Sequence, residues 1–481
     1  SGQVLTSNGG SSAPSWQDAG GGGGGGEFSL SATDKAIHSS AAGNSSSAWY
    51  SFFVGTNAGN NTTTGYNNNF IGSQAGKSNT TGCYNNFFGR YAGCSNTCGG
   101  DNNFFGRRSG YSNTIGLHNN YFGSGAGLDN TTGCYNNFFG IDAGAGAYAA
   151  TNTGSYNNFF GAQAGCSNST GSHNNFFGSR IANYPFTCQT GSHNNFFGFA
   201  SGQVNTSGSC NNFFGCRAGT SNTTGFHNNF FGRGAGLDNT TGCYNNFFGN
   251  WAGCSNTTGT SNIFIGRHAG CRNTTGSDNV FIGDNTGGFV CTNNCNTAVG
   301  RWSGYYVSGA KNTFLGARSG KQNTTGSGNI SIGFYAGDVA GGGYYSFQTG
   351  RYNIIIGSES RTSSTTVSNE VSIFNYCKTA RFQGNATAWS FVSDEREKKN
   401  IIDLPLGGDF LSKLRPRKFE WKSEDEDSHE QASGFVAQEV LKVVEEYNAH
   451  YTGLVDTNDP NQYTFAAAAL IPMIVNAIQE L

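Results

Sequence analysis

A pair of apolar residues followed by glycine recurs through most of this chain. Residues 82–89, Gly-Cys-Tyr-Asn-Asn-Phe-Phe-Gly, are typical of eighteen copies that lie between residues 52 and 357. Aligned on the final glycine, which we call the marker glycine, thirteen of the seventeen intervals are 17 residues and the others are 21, 20, 16 and 24. A fixed period that tolerates a few insertions is typical of a stacked repeat array. The pattern therefore predicts a rod-like, mainly β shaft of 17-residue coils.

The two apolar residues of each copy predict more than one buried face. Neighbouring residues of a strand point to opposite faces, so both cannot enter the interior of one coil. A second, exposed aromatic column would be a large apolar patch, and burying one Phe is worth about 1.5–3 kcal/mol. We therefore expect the second column to pack against identical chains, and threefold symmetry closes around a rod axis. The predicted aromatic columns include Phe87, Phe88, Phe138, Phe139, Phe247 and Phe248.

The remaining positions of a copy are typical of turns. Gly89, Ala92-Gly93 and the Asn-Thr-Thr-Gly run at 79–82 predict three corners, and Asn at equivalent positions of successive coils can form amide ladders. Both a β-solenoid and an intertwined triple β-helix fit this period. The Asn-x-Thr triplets are interpreted as turns, with N-glycosylation as the alternative.

Two kinds of sequence meet near residue 392. Residues 1–392 contain 71 of the 75 glycines and 30 of the 56 charged residues, whereas the last 89 residues carry the other 26 charges and 4 glycines. Seven consecutive glycines at 20–26 are too flexible to fold by themselves. We therefore divide the chain into four segments. They are a flexible Gly-rich linker (1–48), a repetitive β-fibre shaft (49–360), a β-rich neck (361–392) and a small α+β or helical domain (393–481).

Charge and hydropathy exclude several classes of partner. The formal net charge is −2, and the charges of the repeats are sparse and of both signs, so we expect no nucleic-acid partner. No apolar run approaches the ~20 residues that span a bilayer, so we expect no membrane insertion. The chain opens without Met or a signal-peptide pattern, which we interpret as a fragment or a processed product.

Thirteen of the fourteen cysteines lie inside the repeat array. Those that follow their marker glycines by five residues, and that stacking would place in one column, are Cys94, Cys166, Cys254 and Cys271. We interpret these cysteines as small, half-buried residues of that column. Disulfide cross-links within or between chains are the alternative. The C-x3-C spacing of Cys94 and Cys98 lacks a second pair of ligands, so we expect no metal and no cofactor.

The charged C-terminal segment opens with Ser-Asp-Glu-Arg-Glu-Lys-Lys-Asn-Ile-Ile at 393–402. Alone, this run is typical of a helix N-cap followed by a polar helix face. Leu-Ser-Lys-Leu-Arg-Pro at 411–416, Gly-Phe-Val-Ala-Gln-Glu-Val at 434–440 and an apolar segment at 465–481 follow it. In this order the motifs resemble the C-terminal intramolecular chaperone of endosialidase-type phage tail spikes and fibres, whose mark is Ser-Asp-x-Arg-x-Lys-x-Asn-Ile.

This resemblance implies a small α+β or helical domain that trimerises, guides the folding of the fibre and cuts itself off at its own first residue. Ser393 then corresponds to the nucleophile, Lys398 to its base, and the bond between Val392 and Ser393 to the scissile bond. The implied activity is that of an autoproteolytic serine peptidase acting once in cis. A serine hydroxyl needs a neighbouring base, and a lysine serves near neutral pH only when burial or charge lowers its pKa.

Two helices are predicted in the C-terminal segment. The first follows Gly434 and carries its valines on one face. The second covers 465–481, where Leu470, Ile474 and Ile478 recur every four residues and form a seam for a helical bundle. Pro472 predicts a kink or a late start of this helix.

These observations favour a homotrimeric tail fibre or tail spike of a virus particle, which binds a host-surface receptor such as a glycan or an outer-surface protein. The repeats themselves resemble the coils in heads of trimeric autotransporter adhesins and in shafts of phage tail fibres. A trimeric adhesin or extracellular filament at a cell surface is therefore the first alternative. The second, a glycan-degrading spike, requires paired carboxylates, and acidic residues of the shaft are sparse.

Overall fold

The computed structural model describes residues 3–6, 15–18, 28–30, 37–39, 50–146, 151–182, 188–289, 291–337, 349–375, 378–383, 390–391, 399–420, 431–457 and 463–481. They fall into two compact units, residues 1–392 and 393–481. In its described part the first unit contains β-strands and turns, whereas the second combines helices with two short strand pairs. The predicted mainly β fold with few C-terminal helices is confirmed.

The first unit contains one sheet of 25 strands. In chain order, β1 to β25 are Gln3–Thr6, Ser15–Asp18, Phe28–Leu30, Ile37–Ser39, Phe52–Val54, Asn69–Ile71, Asn86–Phe88, Asn103–Phe105, Asn120–Phe122, Asn137–Phe139, Asn158–Phe160, Asn175–Phe177, Asn195–Phe197, Asn212–Phe214, Asn229–Phe231, Asn246–Phe248, Ile263–Ile265, Val280–Ile282, Thr297–Val299, Thr313–Leu315, Ile330–Ile332, Ile354–Ile356, Glu370–Asn375, Lys378–Gln383 and Ser390–Phe391. Strands β5 to β22 each end directly before a marker glycine, so each coil contributes one strand.

Successive coils pair in parallel and in register. Phe87 lies opposite Phe104, and the pairing holds across the 21-residue interval, where Phe138 lies opposite Phe159. Extra residues are therefore accommodated outside the strands. Because each strand pairs with the next coil of its own chain, the shaft is a parallel β-solenoid of about 18 turns and not an intertwined triple β-helix.

The interior of most coils is filled by one aromatic ring and one small residue, and Ala298, Ser331 and Ile355 take the place of the ring in three coils near the C-terminal end of the shaft. The middle residue of each strand points inward; Phe87, Phe138 and Phe247 are fully buried, as are alanines such as Ala92. The inward rings stack, with centroids 4.7 Å apart between Phe70 and Phe87 and 4.8 Å apart between Phe87 and Phe104. This spacing is the strand spacing of a β-sheet, so ring stacking and backbone pairing reinforce one another.

Buried asparagines pair the backbone at the corners. The Asn85 side chain donates to the carbonyl of Gly99 at 2.8 Å, and the Asn85 backbone N–H donates to Asn68 Oδ1 at 3.0 Å. At a second corner, Asn96 Nδ2 donates to Asn79 Oδ1 at 2.7 Å. These ladders satisfy backbone groups that a glycine-rich coil could not bury otherwise. The predicted amide ladders are thus present in the described coils.

The second unit contains helices α1 (Gly408–Lys413), α2 (Ala437–Glu446) and α3 (Ile471–Glu480). Short 3-10 turns lie at His450–Thr452 and Ala467–Leu470. Strands β26 (Arg417–Glu420) and β27 (Gln431–Gly434) pair antiparallel, as do β28 (Val455–Asp456) and β29 (Thr464–Phe465). Helix α3 begins at Ile471 with Pro472 in its first turn, where a proline costs no helical hydrogen bond, so the late start is confirmed.

One inward ring of the shaft, that of Tyr121, carries a buried hydroxyl group without a hydrogen bond in the described coils. Tyr121 occupies an inward position between Phe104 and Phe138, and its hydroxyl has no hydrogen-bond partner among the described residues. Leaving such a group unpaired costs about 1–3 kcal/mol. Tyr121→Phe is therefore expected to keep or raise the thermal unfolding midpoint of the full chain, and Phe104→Tyr to lower it. A midpoint that falls for Tyr121→Phe would show that the hydroxyl is stabilising.

Candidate functional site

The outward face of the sheet carries a second aromatic column. The third residue of each strand points away from the coil interior, so Phe88, Phe139 and Phe248 lie outside while their neighbours Phe87, Phe138 and Phe247 lie inside. The outward rings stack from Phe88 through Phe248, with centroids 4.7 Å apart in the first pair. Stacking covers the ring faces and leaves the edges, so Phe248 retains 39% of its surface exposed. This outward column is a continuous apolar surface of the single chain.

The outward face changes character along the shaft. Beside the upstream rings runs an amide ladder, in which Asn86 Nδ2 donates to Asn103 Oδ1 at 2.8 Å. From Ile263 onward both outward positions of most strands are aliphatic or threonine, as in Ile263 with Ile265 and Ile330 with Ile332. All four of these isoleucines are exposed in the single chain. The outward face is therefore more uniformly apolar toward the C-terminal end of the shaft.

Two acidic residues of the shaft lie too far apart to form the carboxylate pair that glycan hydrolysis requires. Burial raises the pKa of Asp129 and of Asp238, the two that precede Asn-Thr-Thr corners. They lie six coils apart, so about 29 Å separates their levels at about 4.8 Å per coil. Carboxylate pairs of glycosidases lie about 5–9.5 Å apart. These two residues therefore cannot act together within one chain.

In the part of the chain that the structure describes, the cysteines form no disulfide with one another. Cys254 and Cys271 occupy the same position in successive coils, and Cys254 Sγ donates to the carbonyl of Cys271 at 3.2 Å. A separate hydrogen bond between the two side chains lowers the pKa of Cys254 to about 7 and raises the pKa of Cys271. Within the described residues no cluster of three or more His, Cys, Asp or Glu side chains is arranged to hold a metal ion.

The second unit has its own small apolar core. Phe410 of α1, Val440 and Val444 of α2, and Met473 at the start of α3 are buried together with Leu454. This arrangement fixes the packing of the three helices against one another. The apolar face predicted for α2 is the face that enters this core, because its buried residues recur three and four positions apart.

Polar contacts lock the same elements. Arg417 of β26 donates from Nε and from a terminal guanidinium nitrogen to the two carboxylate oxygens of Glu439 in α2, at 2.9 and 2.8 Å. This fork lowers the pKa of Glu439 and raises that of Arg417. The Tyr447 hydroxyl donates to Asp409 at 2.7 Å, which raises the pKa of Tyr447 to about 12. Helix α2 is thus tied both to β26 and to α1.

Helix α3 divides the predicted apolar seam between two environments. Leu470 is buried in the core of the unit, whereas Ile474 and Ile478 are exposed in the single chain. The sequence pattern placed all three on one seam and did not show that the helix begins after Leu470. The exposed part of the seam, Ile471, Ile474, Val475 and Ile478, has no covering partner within the described residues of the chain.

The proposed cleavage residues Val392, Ser393 and Lys398 lie outside the described residues. The described segment resumes at Lys399, where residues 399–405 and Tyr451 line an open groove of about 590 Å³. Ile401 and Ile402 are strongly exposed beside this groove. The structure therefore shows the last three residues of the motif and the surface that follows them, and the geometry between Ser393 and Lys398 stays a prediction.

Comparison with known families bears on this unit. Residues 393–448 match the family model Peptidase_S74, chaperone of endosialidase. The matched range includes Ser393 and Lys398 and the first two downstream motifs, and it confirms the resemblance for this part of the chain. No curated protein and no solved structure matches the chain significantly. Within the described residues, no helix is both long and apolar enough for a membrane span.

Proposed function

We propose that the chain is a homotrimeric tail fibre or tail spike of a virus particle, whose shaft presents a receptor-binding surface to the host. The observation that carries this proposal is the chaperone-of-endosialidase match at 393–448, which follows a long β-solenoid and its neck in the sequence. A shaft whose outward column is uncovered in the single chain needs partner chains, and a chaperone of this kind would bring them together. Under this proposal residues 393–481 assemble three shafts and can then be removed.

The outward column supports the trimer quantitatively. A fully buried Phe is worth about 1.5–3 kcal/mol, and a ring that retains somewhat over a third of its surface has about 0.5–1 kcal/mol left to gain. Of the ten stacked rings from Phe88 to Phe248, those of Phe122, Phe177 and Phe248 are exposed to this extent and the others less, so the column contributes at most about 5–10 kcal/mol per chain, before the costs of ordering are subtracted. The aliphatic continuation from Ile263 and the exposed seam of α3 add further apolar surface.

Self-removal of the C-terminal unit follows from the proposed roles of two residues. Lys398 would take the proton of the Ser393 hydroxyl, whose oxygen attacks the carbonyl carbon of Val392. The C–N bond between the two residues breaks, an ester forms on Ser393, and the freed α-amine takes the proton. Water then hydrolyses the ester, so the products are a shaft ending at Val392 and a fragment beginning at Ser393.

Expression of residues 1–481 is expected to give two bands in denaturing electrophoresis, the smaller one an 89-residue fragment. Ser393→Ala removes the attacking oxygen and Lys398→Ala removes the base, so each is expected to leave a single full-length band. Lys399→Ala is the matched control, because it removes the adjacent ammonium and should leave cleavage intact. A wild-type chain that stays uncut would contradict the peptidase role and leave the assembly role standing.

A further inference from the structure

One corner of the solenoid collects the positive charge of the shaft. We define the corner ridge as the first and second residues after each marker glycine. Between residues 49 and 360 it holds nine of the fourteen basic and three of the eight acidic residues, whereas the rest of the shaft holds five of each. The charges that look sparse and mixed along the sequence are therefore segregated by the period. The basic members are Arg90, Arg107, Arg108, Arg180, Arg217, Arg233, Arg267, Arg301 and Arg318.

The longest run of closely spaced ridge arginines covers the seven coils from Arg217 to Arg318, which carry five of these arginines and one carboxylate. Coils stack about 4.8 Å apart, so a polymer along the shaft meets a guanidinium about every 5–10 Å. The carboxylate, Asp284, bridges two of them, at 2.9 Å from Arg267 and 3.6 Å from Arg301. The Arg267 and Arg301 side chains are still 60% and 69% exposed, so their remaining donors face solvent.

Large side chains at the second ridge position occupy a backbone conformation that is unfavourable for residues other than glycine. Arg217, Arg318 and Trp302 sit at the second ridge position with φ near +60°. A residue other than glycine in this left-handed conformation costs about 1–2 kcal/mol. Gly125 and Gly234 take the same position in other coils, so glycine is compatible with the fold there. Large charged and aromatic side chains at a strained position favour a role in contacts outside the coil.

Three aromatic rings on the ridge have a cation close to them. The Arg233 guanidinium lies 5.7 Å from the centre of the Trp251 ring, Arg318 lies 4.8 Å from Tyr335, and Lys321 lies 5.6 Å from Trp302. Proteins that bind single-stranded nucleic acid need open aromatic faces for base stacking, and readers of duplex DNA insert a helix or ribbon into a groove. The described coils present no helix at the ridge, and a cation lies close to each of these three rings. A guanidinium group that is positioned over a ring can still bind a carboxylate through two parallel hydrogen bonds.

We propose that the corner ridge binds a carboxylate-bearing polysaccharide that lies along the shaft. This inference rests on the proposed receptor-binding role and names the chemical class of the ligand. Arg217, Arg233 and Arg318 donate to successive carboxylates of the polymer, and Arg267 and Arg301 do so while sharing Asp284. Because the ligand spans several coils, no single arginine is essential and affinity is the sum of many contacts.

The test measures binding of the full chain to three probes of similar length: polygalacturonate, neutral dextran and a single-stranded oligothymidylate. The ridge variant is Arg217→Gln/Arg233→Gln/Arg318→Gln. The matched control is Lys77→Gln/Lys311→Gln/Arg351→Gln, which removes the same charge from positions outside the ridge. We expect polygalacturonate to bind the ridge variant about tenfold more weakly than the wild type, and the control variant to within about twofold, with affinity falling as salt rises.

Equal losses in the two variants, or no polygalacturonate binding by the wild type, would overturn the proposal. Equally tight binding of dextran would remove the role of charge, and tighter binding of the oligonucleotide would replace the ligand class. Native mass spectrometry of each protein separates this result from assembly. A trimer that does not bind polygalacturonate would contradict only the proposed role of the corner ridge. A monomer that binds polygalacturonate would contradict only the proposed trimeric assembly.

Discussion

Replacing Phe247 by alanine is expected to destabilise the shaft by about 3–5 kcal/mol. The Phe247 ring is fully buried and stacks between Phe230 and Phe264, with centroids 4.8 Å away on each side. Strand β16 is paired with neighbours on both edges, so the backbone cannot collapse into the cavity that alanine leaves. The thermal unfolding midpoint of the full chain measures the loss.

Phe248→Ala is the matched control in the next residue. Its ring lies outside the coil and stacks on Phe231, so the change leaves the interior of the solenoid filled. We expect a smaller loss of coil stability and a weaker association between chains, seen as more dissociation on dilution. If Phe248→Ala lowers the unfolding midpoint as much as Phe247→Ala while dissociation is unchanged, the two columns do not have the separate roles assigned to them.

Replacing Gly123 by alanine is expected to disrupt the stacking of two coils. Gly123 has φ +145°, outside the region that L-residues adopt readily, and an added Cβ would lie 2.3 Å from the carbonyl oxygen of Gly140. That oxygen belongs to the backbone of the next coil and cannot move without breaking the register. We expect a loss of more than about 3 kcal/mol, in the range of severe backbone and packing defects.

Gly125→Asn, two residues further along the same coil, is the matched control. It tests whether the loss of stability comes from the stacking contact at Gly123 or from replacing any glycine of the turn. Gly125 has φ +69°, and its added Cβ would meet the side-chain oxygen of Asp142, which can move away. Other coils carry Asn57 and Gln74 at this position with φ near +60°. We expect Gly125→Asn to shift the thermal midpoint far less than Gly123→Ala. Similar shifts would contradict the stacking contact as the cause.

The period and the paired apolar residues were sufficient to predict the coil and its stacking. Alternation along a three-residue strand places Phe87 inside and Phe88 outside, and in-register pairing then follows from repetition. The sequence did not reveal how far the outward rings cover one another. Stacking between Phe88 and Phe105 buries much of each ring within one chain, so less surface is left for association than a column of isolated rings would offer.

Two other features depended on spatial arrangement. The arginines of the corner ridge are separated by about a full period in sequence, so a count of charges treats them as dispersed. In the C-terminal unit, the four-residue spacing of Leu470, Ile474 and Ile478 predicted a common seam, but Leu470 precedes α3 and packs into the core. Periodicity reports which residues share a face and does not report where a helix begins.

The decisive measurement is the native mass of the Ser393→Ala chain, which keeps the C-terminal unit attached. One chain has a mass of 50.6 kDa, and we predict a particle of three times that mass at low micromolar concentration. Three copies would shelter the outward column from Phe88 to Phe248 together with the exposed residues of α3. A soluble, folded particle with the mass of one chain would leave those rings in water and would contradict the assembly proposed for this fibre.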